Sequence, residues 1–109
     1  MTECVLVLTT MPADERANGL SQTLVEERLA ACVNVHEPMT SIYRWQGKIE
    51  VDSERQVVIK TTREKLSALE ARLRELHPYK LPELIVLDAS ASDAYAAWIS
   101  ETTSPPRPA

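Results

Sequence analysis

Ser41-Ile42-Tyr43-Arg44-Trp45-Gln46-Gly47-Lys48-Ile49-Glu50 carries the signature of a β-hairpin. Gln46-Gly47 supplies the turn, because glycine enters positive φ without a Cβ clash. Strand formers stand on both sides, and Tyr43 and Trp45, two apart, share one face of a strand. The chain has only 3 Tyr, 2 Trp and no Phe. Placing two of those rings at a hairpin tip, beside Arg44 and Lys48, is odd for a core and natural for a contact surface. The segment reads as a projecting hairpin that touches something.

Working outward, Ala31 to Trp45 reads as one long strand entering the turn, interrupted around Glu37-Pro38 because proline cannot donate to a central ladder. Lys48 to Thr61 is the returning strand, with Ile49 and Val51 alternating before a polar patch at Asp52, Glu54 and Arg55 that reads as a solvated bulge. Upstream, Cys4 to Thr9 is an apolar strand. Pro12 suits the first turn of a helix that carries Ala13, Ala17, Leu20 and Leu24 and runs to about Leu29. Gly19 inside it marks close packing against the sheet. Downstream, Thr61 and Glu64 form a capping-box pair opening a second helix, whose stripe of Leu66, Leu69, Leu73 and Leu76 is stopped by Pro78.

Glu83 to Leu87 is a last strand, and Ser90 or Ser92 caps a final helix bearing Tyr95, Trp98 and Ile99. Residues 102–109, rich in proline and without apolar pattern, read as a disordered tail after a domain spanning 1–101.

The order strand, helix, strand, strand, helix, strand is the split βαβ, ferredoxin-like α+β arrangement. It predicts an antiparallel sheet in the order fourth, first, third, second strand. The central hairpin is longer than the outer strands can cover. An exposed edge of that length invites aggregation unless it is paired, so a second copy of the chain is the expected neighbour.

Composition narrows the function classes. At 109 residues the chain is one domain. A net charge of −4 argues against binding nucleic acid or an anionic membrane through a basic face. No apolar run reaches the length of a membrane span. No basic region precedes Val5 to Leu8, so the start does not read as a signal peptide. Cys4 and Cys32 form no Cys-x-x-Cys motif, and free thiols in a reducing cytoplasm are the simplest reading. With 2 glycines there is no Gly-rich phosphate loop, and no nucleophile and base stand at a telling spacing. A non-enzymatic protein is expected.

The hairpin, Ala31-Cys32-Val33-Asn34-Val35, Ile59-Lys60-Thr61 and His77-Pro78-Tyr79-Lys80-Leu81-Pro82-Glu83 together resemble the CutA divalent-cation-tolerance family, over roughly residues 4 to 100. The resemblance implies a ferredoxin-like homotrimer similar to the PII signalling proteins, in which long hairpins of adjacent subunits pair. It implies a loose association with copper and other divalent metals, with no obligatory cofactor. Thr102 to Ala109 falls outside the family pattern.

Cys32, His36 and His77 are the candidate metal ligands, being soft or borderline donors. Cys4 opens a core strand and reads as a small buried hydrophobe. Cys32, which matches the cysteine of the family's Ala-Cys-Val-Asn motif, either packs or ligates. Cys32 and His36 are four strand residues apart, roughly 13 Å, too far to share one ion. Cys32 and His77 fall at opposite ends of the sheet. A tetrahedral zinc site from one chain is therefore not expected, and a site for copper or zinc between subunits is.

Two prolines fix the connection after His77. His77 is then either a rigid corner whose imidazole bonds a carbonyl, or a cleft residue. In the cleft reading it acts with Lys60, Glu50, Tyr79 and Glu83, drawn from neighbouring chains, on a small anion or a metal-bound ligand. Lys60 equally suits a carboxylate partner. Tyr43, Arg44 and Trp45 are expected at the trimer interface, with the guanidinium on a ring. The function expected is that of a cytoplasmic, trimeric divalent-metal (copper) binding protein. The alternatives are a PII-like regulatory trimer holding a small anion in its intersubunit clefts, and a trimeric scaffold for a protein partner.

Overall fold

In the computed structural model, which describes residues 1–106, the chain runs β1 (Thr2–Pro12), α1 (Arg16–Glu26), β2 (Cys32–Val35), β3 (Met39–Trp45), β4 (Lys48–Thr61), a 3-10 turn (Arg63–Lys65), α2 (Leu66–Leu76), β5 (Ile85–Ala91) and α3 (Asp93–Thr103). The sheet order is β2-β4-β1-β5, with β3 also paired to β4. All pairs are antiparallel. This is the expected ferredoxin-like order, with the interrupted second strand resolved into β2 and β3.

Alternation in the two central strands sets the layers. Val5, Val7 and Thr9 of β1 lie opposite Thr61, Ile59 and Val57 of β4, and all are buried. Ala17, Leu20 and Leu24 of α1 and Leu69 and Leu73 of α2 close over that face. Fully burying each large aliphatic side chain contributes about 1.5–3 kcal/mol, so this layer holds the fold. On the other face α3 covers one end only, where Ile99 packs with Cys4 and Ala31. Ile85, Leu87, Tyr95 and Trp98 remain 39–45% exposed.

The hairpin leaves the body because β4 outruns its neighbours. Residues Glu54 to Thr61 pair with β1, whereas Lys48 to Ser53 pair with β3 alone. The molecule is accordingly elongated, 53 × 29 × 24 Å. Gln46 (φ 50°) and Gly47 (φ 80°) make a turn with both central residues at positive φ, the type I′ form that matches strand twist. Ile42, Ile49 and Val51 on this projecting ribbon are 70%, 59% and 62% exposed.

Several boundaries differ from the sequence reading. Pro12 ends β1, opposite Glu54, instead of opening α1. Asp14 makes the start of α1, its carboxylate accepting from the Arg16 backbone N–H at 2.9 Å. α1 stops at Glu26 because Arg28 turns left-handed (φ 60°), while Arg28 N–H and Leu29 N–H donate to the carbonyls of Val25 and Leu24. That is a Schellman closure. Gly19 meets nothing within 4 Å, so it does not serve close packing.

Thr61 caps nothing; its hydroxyl is buried and donates to the Leu29 carbonyl at 2.7 Å. The last strand begins at Ile85 and continues to Ala91, and Ser92 caps α3 by accepting from Tyr95 N–H. α3 reaches Thr103, which is 1% exposed, so ordered structure enters the stretch expected as tail. Residues 107–109 of that expected tail lie outside the described residues. No helix among the described residues is long and apolar enough to cross a membrane.

Candidate functional site

The chemistry gathers where the root of the hairpin meets the segment after α2. Pro78 forces the residue before it out of the helical region, so His77 ends α2 in extended backbone (φ −75°, ψ 132°). Its ring folds back onto β1 and is 8% exposed. Nδ1 accepts from the Tyr79 backbone N–H at 3.1 Å. A backbone amide only donates, so the proton sits on Nε2, which lies 2.8 Å from the Thr10 carbonyl and 3.2 Å from the Thr9 hydroxyl oxygen. Burial holds the imidazole below its ordinary pKa, against the Thr10 carbonyl and the charge of Glu54, which favour protonation. His77 is thus a neutral corner residue bonded to a carbonyl, and it ligates a metal only by releasing one of these bonds.

Tyr79 follows, with its ring centroid 4.9 Å from that of His77. Its hydroxyl donates to Glu54 at 2.7 Å. Burial, then this bond, pushes the phenol pKa well up. One row along the hairpin, the Tyr43 hydroxyl donates to Asp52, which pushes that phenol up to about 12. Gln56 donates to the Thr9 carbonyl at 2.7 Å and to Glu83 at 3.1 Å, tying the segment to the sheet. Between hairpin and segment lies a cleft of about 760 Å³, lined in part by Tyr43, Trp45, Asp52, Glu54, Tyr79 and Glu83.

The other expected residues lie elsewhere. Cys32, half-buried with a free thiol, stands on β2 at the sheet edge, opposite Lys60. Lys60 is in turn opposite Leu6, four residues along β1 from the Thr10 carbonyl that His77 contacts. That offset alone is roughly 13 Å. His36 is exposed just beyond β2. Among the described residues no group of three or more His, Cys, Asp or Glu side chains is placed to hold a metal ion.

The expected cleft set also divides within one chain. Tyr79 and Glu83 line the cleft, whereas Lys60 places its ammonium 5.7 Å from the Tyr95 ring and Glu50 sits opposite Tyr43 on the ribbon. Tyr43 and Trp45 do share a face, but Arg44 projects from the other one, opposite Ile49.

Asp52 and Glu54 are the residues that sequence reasoning misplaced. β4 passes through them in unbroken register, with no bulge, and Glu54 is only 9% exposed. Carrying the period-two pattern past Val51 puts Glu50, Asp52, Glu54 and Gln56 on one face, which was the available signal.

The sequence pattern of the family described as CutA1 divalent ion tolerance protein matches residues 5–102. The divalent-cation tolerance protein CutA of Thermus thermophilus is 44% identical over 99 residues, 90% of this chain and 96% of that one. The crystal structure of divalent ion tolerance protein CutA1 from Ehrlichia chaffeensis superposes with a TM-score of 0.90 at 31% identity, covering 96% of this chain and 99% of that one. A structure from Archaeoglobus fulgidus, described as a periplasmic divalent cation tolerance protein CutA, gives a TM-score of 0.88 at 30% identity, covering 94% and 100%.

Proposed function

Because the chain belongs to the CutA1 divalent-ion-tolerance family, we propose that it serves divalent-cation tolerance by binding copper or a similar ion where copies of the chain meet in a homotrimer. The observation that carries this reading is the position of Cys32. Its free thiol is partly accessible on an edge strand, and its own chain brings no second soft ligand to it. A ligand from a neighbouring copy completes such a site, and thiolate with imidazole suits copper and zinc.

Assembly has its own support. The open sheet face carries Ile85, Leu87, Tyr95 and Trp98 half-exposed, and the ribbon carries Ile42, Ile49 and Val51 more exposed still. Apolar surface of that extent, with unpaired edges on a projecting hairpin, fits contact with other copies, and Tyr43, Arg44 and Trp45 fall within it. Two free thiols favour a cytoplasmic place, which fractionation of the tagged chain tests against a periplasmic one. The anion-binding alternative is disfavoured, since the cleft presents Asp52, Glu54 and Glu83 against Lys80.

Calorimetric titration with Cu(II) and Zn(II) tests the metal reading. Cys32→Ala abolishes or greatly weakens binding, His36→Ala and His77→Ala report whether either imidazole joins it, and affinity falls as pH drops and the ligands protonate. Unchanged binding in Cys32→Ala removes that residue from the site.

A further inference from the structure

We propose that the cleft between the hairpin root and residues 78–83 binds a small organic dication, a linear diamine in its simplest form. Its volume of about 760 Å³ lies in the range of small-molecule sites. Its charge is lopsided, with Asp52, Glu54 and Glu83 facing only Lys80 among the lining side chains. Glu54 carries the argument furthest. It is 9% exposed, its side-chain partner is the Tyr79 hydroxyl, and no cationic group of the described residues lies within 4.0 Å of it. A carboxylate withdrawn from water without a counter-charge is costly, and an ammonium entering the cleft supplies one.

The arrangement also selects the kind of cation. The carboxylates are spread along the cleft and form no group that could hold a metal ion. An ion that needs its ligands at one point finds no such place, whereas two ammonium groups joined by a short chain reach separated carboxylates. Tyr43, Trp45 and Tyr79 add aromatic faces that attract ammonium groups, and Met39 and Leu81 give the methylene spacer an apolar wall. The inference shares no residue with the metal site at Cys32, so either stands if the other fails.

Titration of the full-length chain with 1,4-diaminobutane, at fixed ionic strength, is the test. 1,4-Butanediol serves as the uncharged isostere and Mg²⁺ as a point dication. The expected result is saturable diamine binding, with both comparators at least about tenfold weaker, the change produced by one charge-assisted contact. Glu54→Gln and Glu83→Gln each weaken diamine binding by about tenfold or more, whereas Lys80→Ala leaves it equal or tighter. Thermal unfolding of each variant confirms that it is folded, and Glu83→Gln, with Glu83 only half-buried, keeps the test open if Glu54→Gln does not fold. Equal binding of butanediol, equal diamine binding in both carboxamide variants, or no saturable binding by the folded wild type overturns the proposal.

Discussion

Replacing His77 by alanine tests the corner that shapes the cleft. The substitution removes the Nε2–H bond to the Thr10 carbonyl (2.8 Å) and the bond that Nδ1 accepts from Tyr79 N–H (3.1 Å). Each contributes about 0.5–1.5 kcal/mol net, and the lost ring leaves a void beneath an 8% exposed position. Together the loss comes to about 2–4 kcal/mol, and at roughly 4–8 °C per kcal/mol the melting temperature falls by about 10–20 °C. His77→Asn, whose side-chain oxygen can still accept from Tyr79 N–H, loses about half as much.

The pH dependence has a definite sign. The imidazole is depressed below its ordinary pKa of 6.5 in the folded chain, so the unfolded chain takes up the proton first. The stability this contributes is complete above pH 6.5 and drains as the pH falls below it. His77→Ala lacks that component. Denaturant melts at several pH values and one protomer concentration measure both effects. A His77→Ala protein within about 0.5 kcal/mol of wild type, or one with the wild-type acid slope, would refute the reasoning.

Three further outcomes follow from the packing. Gly47→Ala forces a Cβ into φ 80° at the hairpin turn and lowers stability by about 1 kcal/mol in the same melts, whereas Gln46→Gly is neutral or stabilising. Leu73→Ala, at a fully buried position beneath the sheet, costs about 2–5 kcal/mol, and a loss under 1 kcal/mol would mean that α2 does not seal the core. Trp45→Ala shifts the trimer toward monomer on dilution in analytical ultracentrifugation, and a variant that stays fully trimeric at nanomolar protomer would take Trp45 out of the interface.

The layers of the fold were legible because they rest on short-range patterns. Alternation in Cys4 to Thr9, the leucine stripe of α2 and the Gln46-Gly47 turn all survive in the structure. Boundaries were lost where tertiary contacts override local signals. The length of β4 draws Pro12 into a strand, and the Leu29 carbonyl takes the Thr61 hydroxyl that local spacing assigns to a cap. The same cause hid half of the cleft. Asp52 and Glu54 look like solvated charges until Tyr43 and Tyr79, one near in sequence and one 25 residues away, are seen to donate to them. Cys32 and His77, by contrast, were correctly read as too far apart to meet within one chain.

The central claim, that the metal site is assembled between copies around Cys32, is tested most directly by a crystal structure grown with copper, with the ion located by its anomalous scattering. The account predicts copper bonded to the Cys32 thiolate, with at least one further ligand from a neighbouring copy, repeated at each equivalent boundary. Copper found only at lattice contacts, or at the cleft with Cys32 unoccupied, would contradict it.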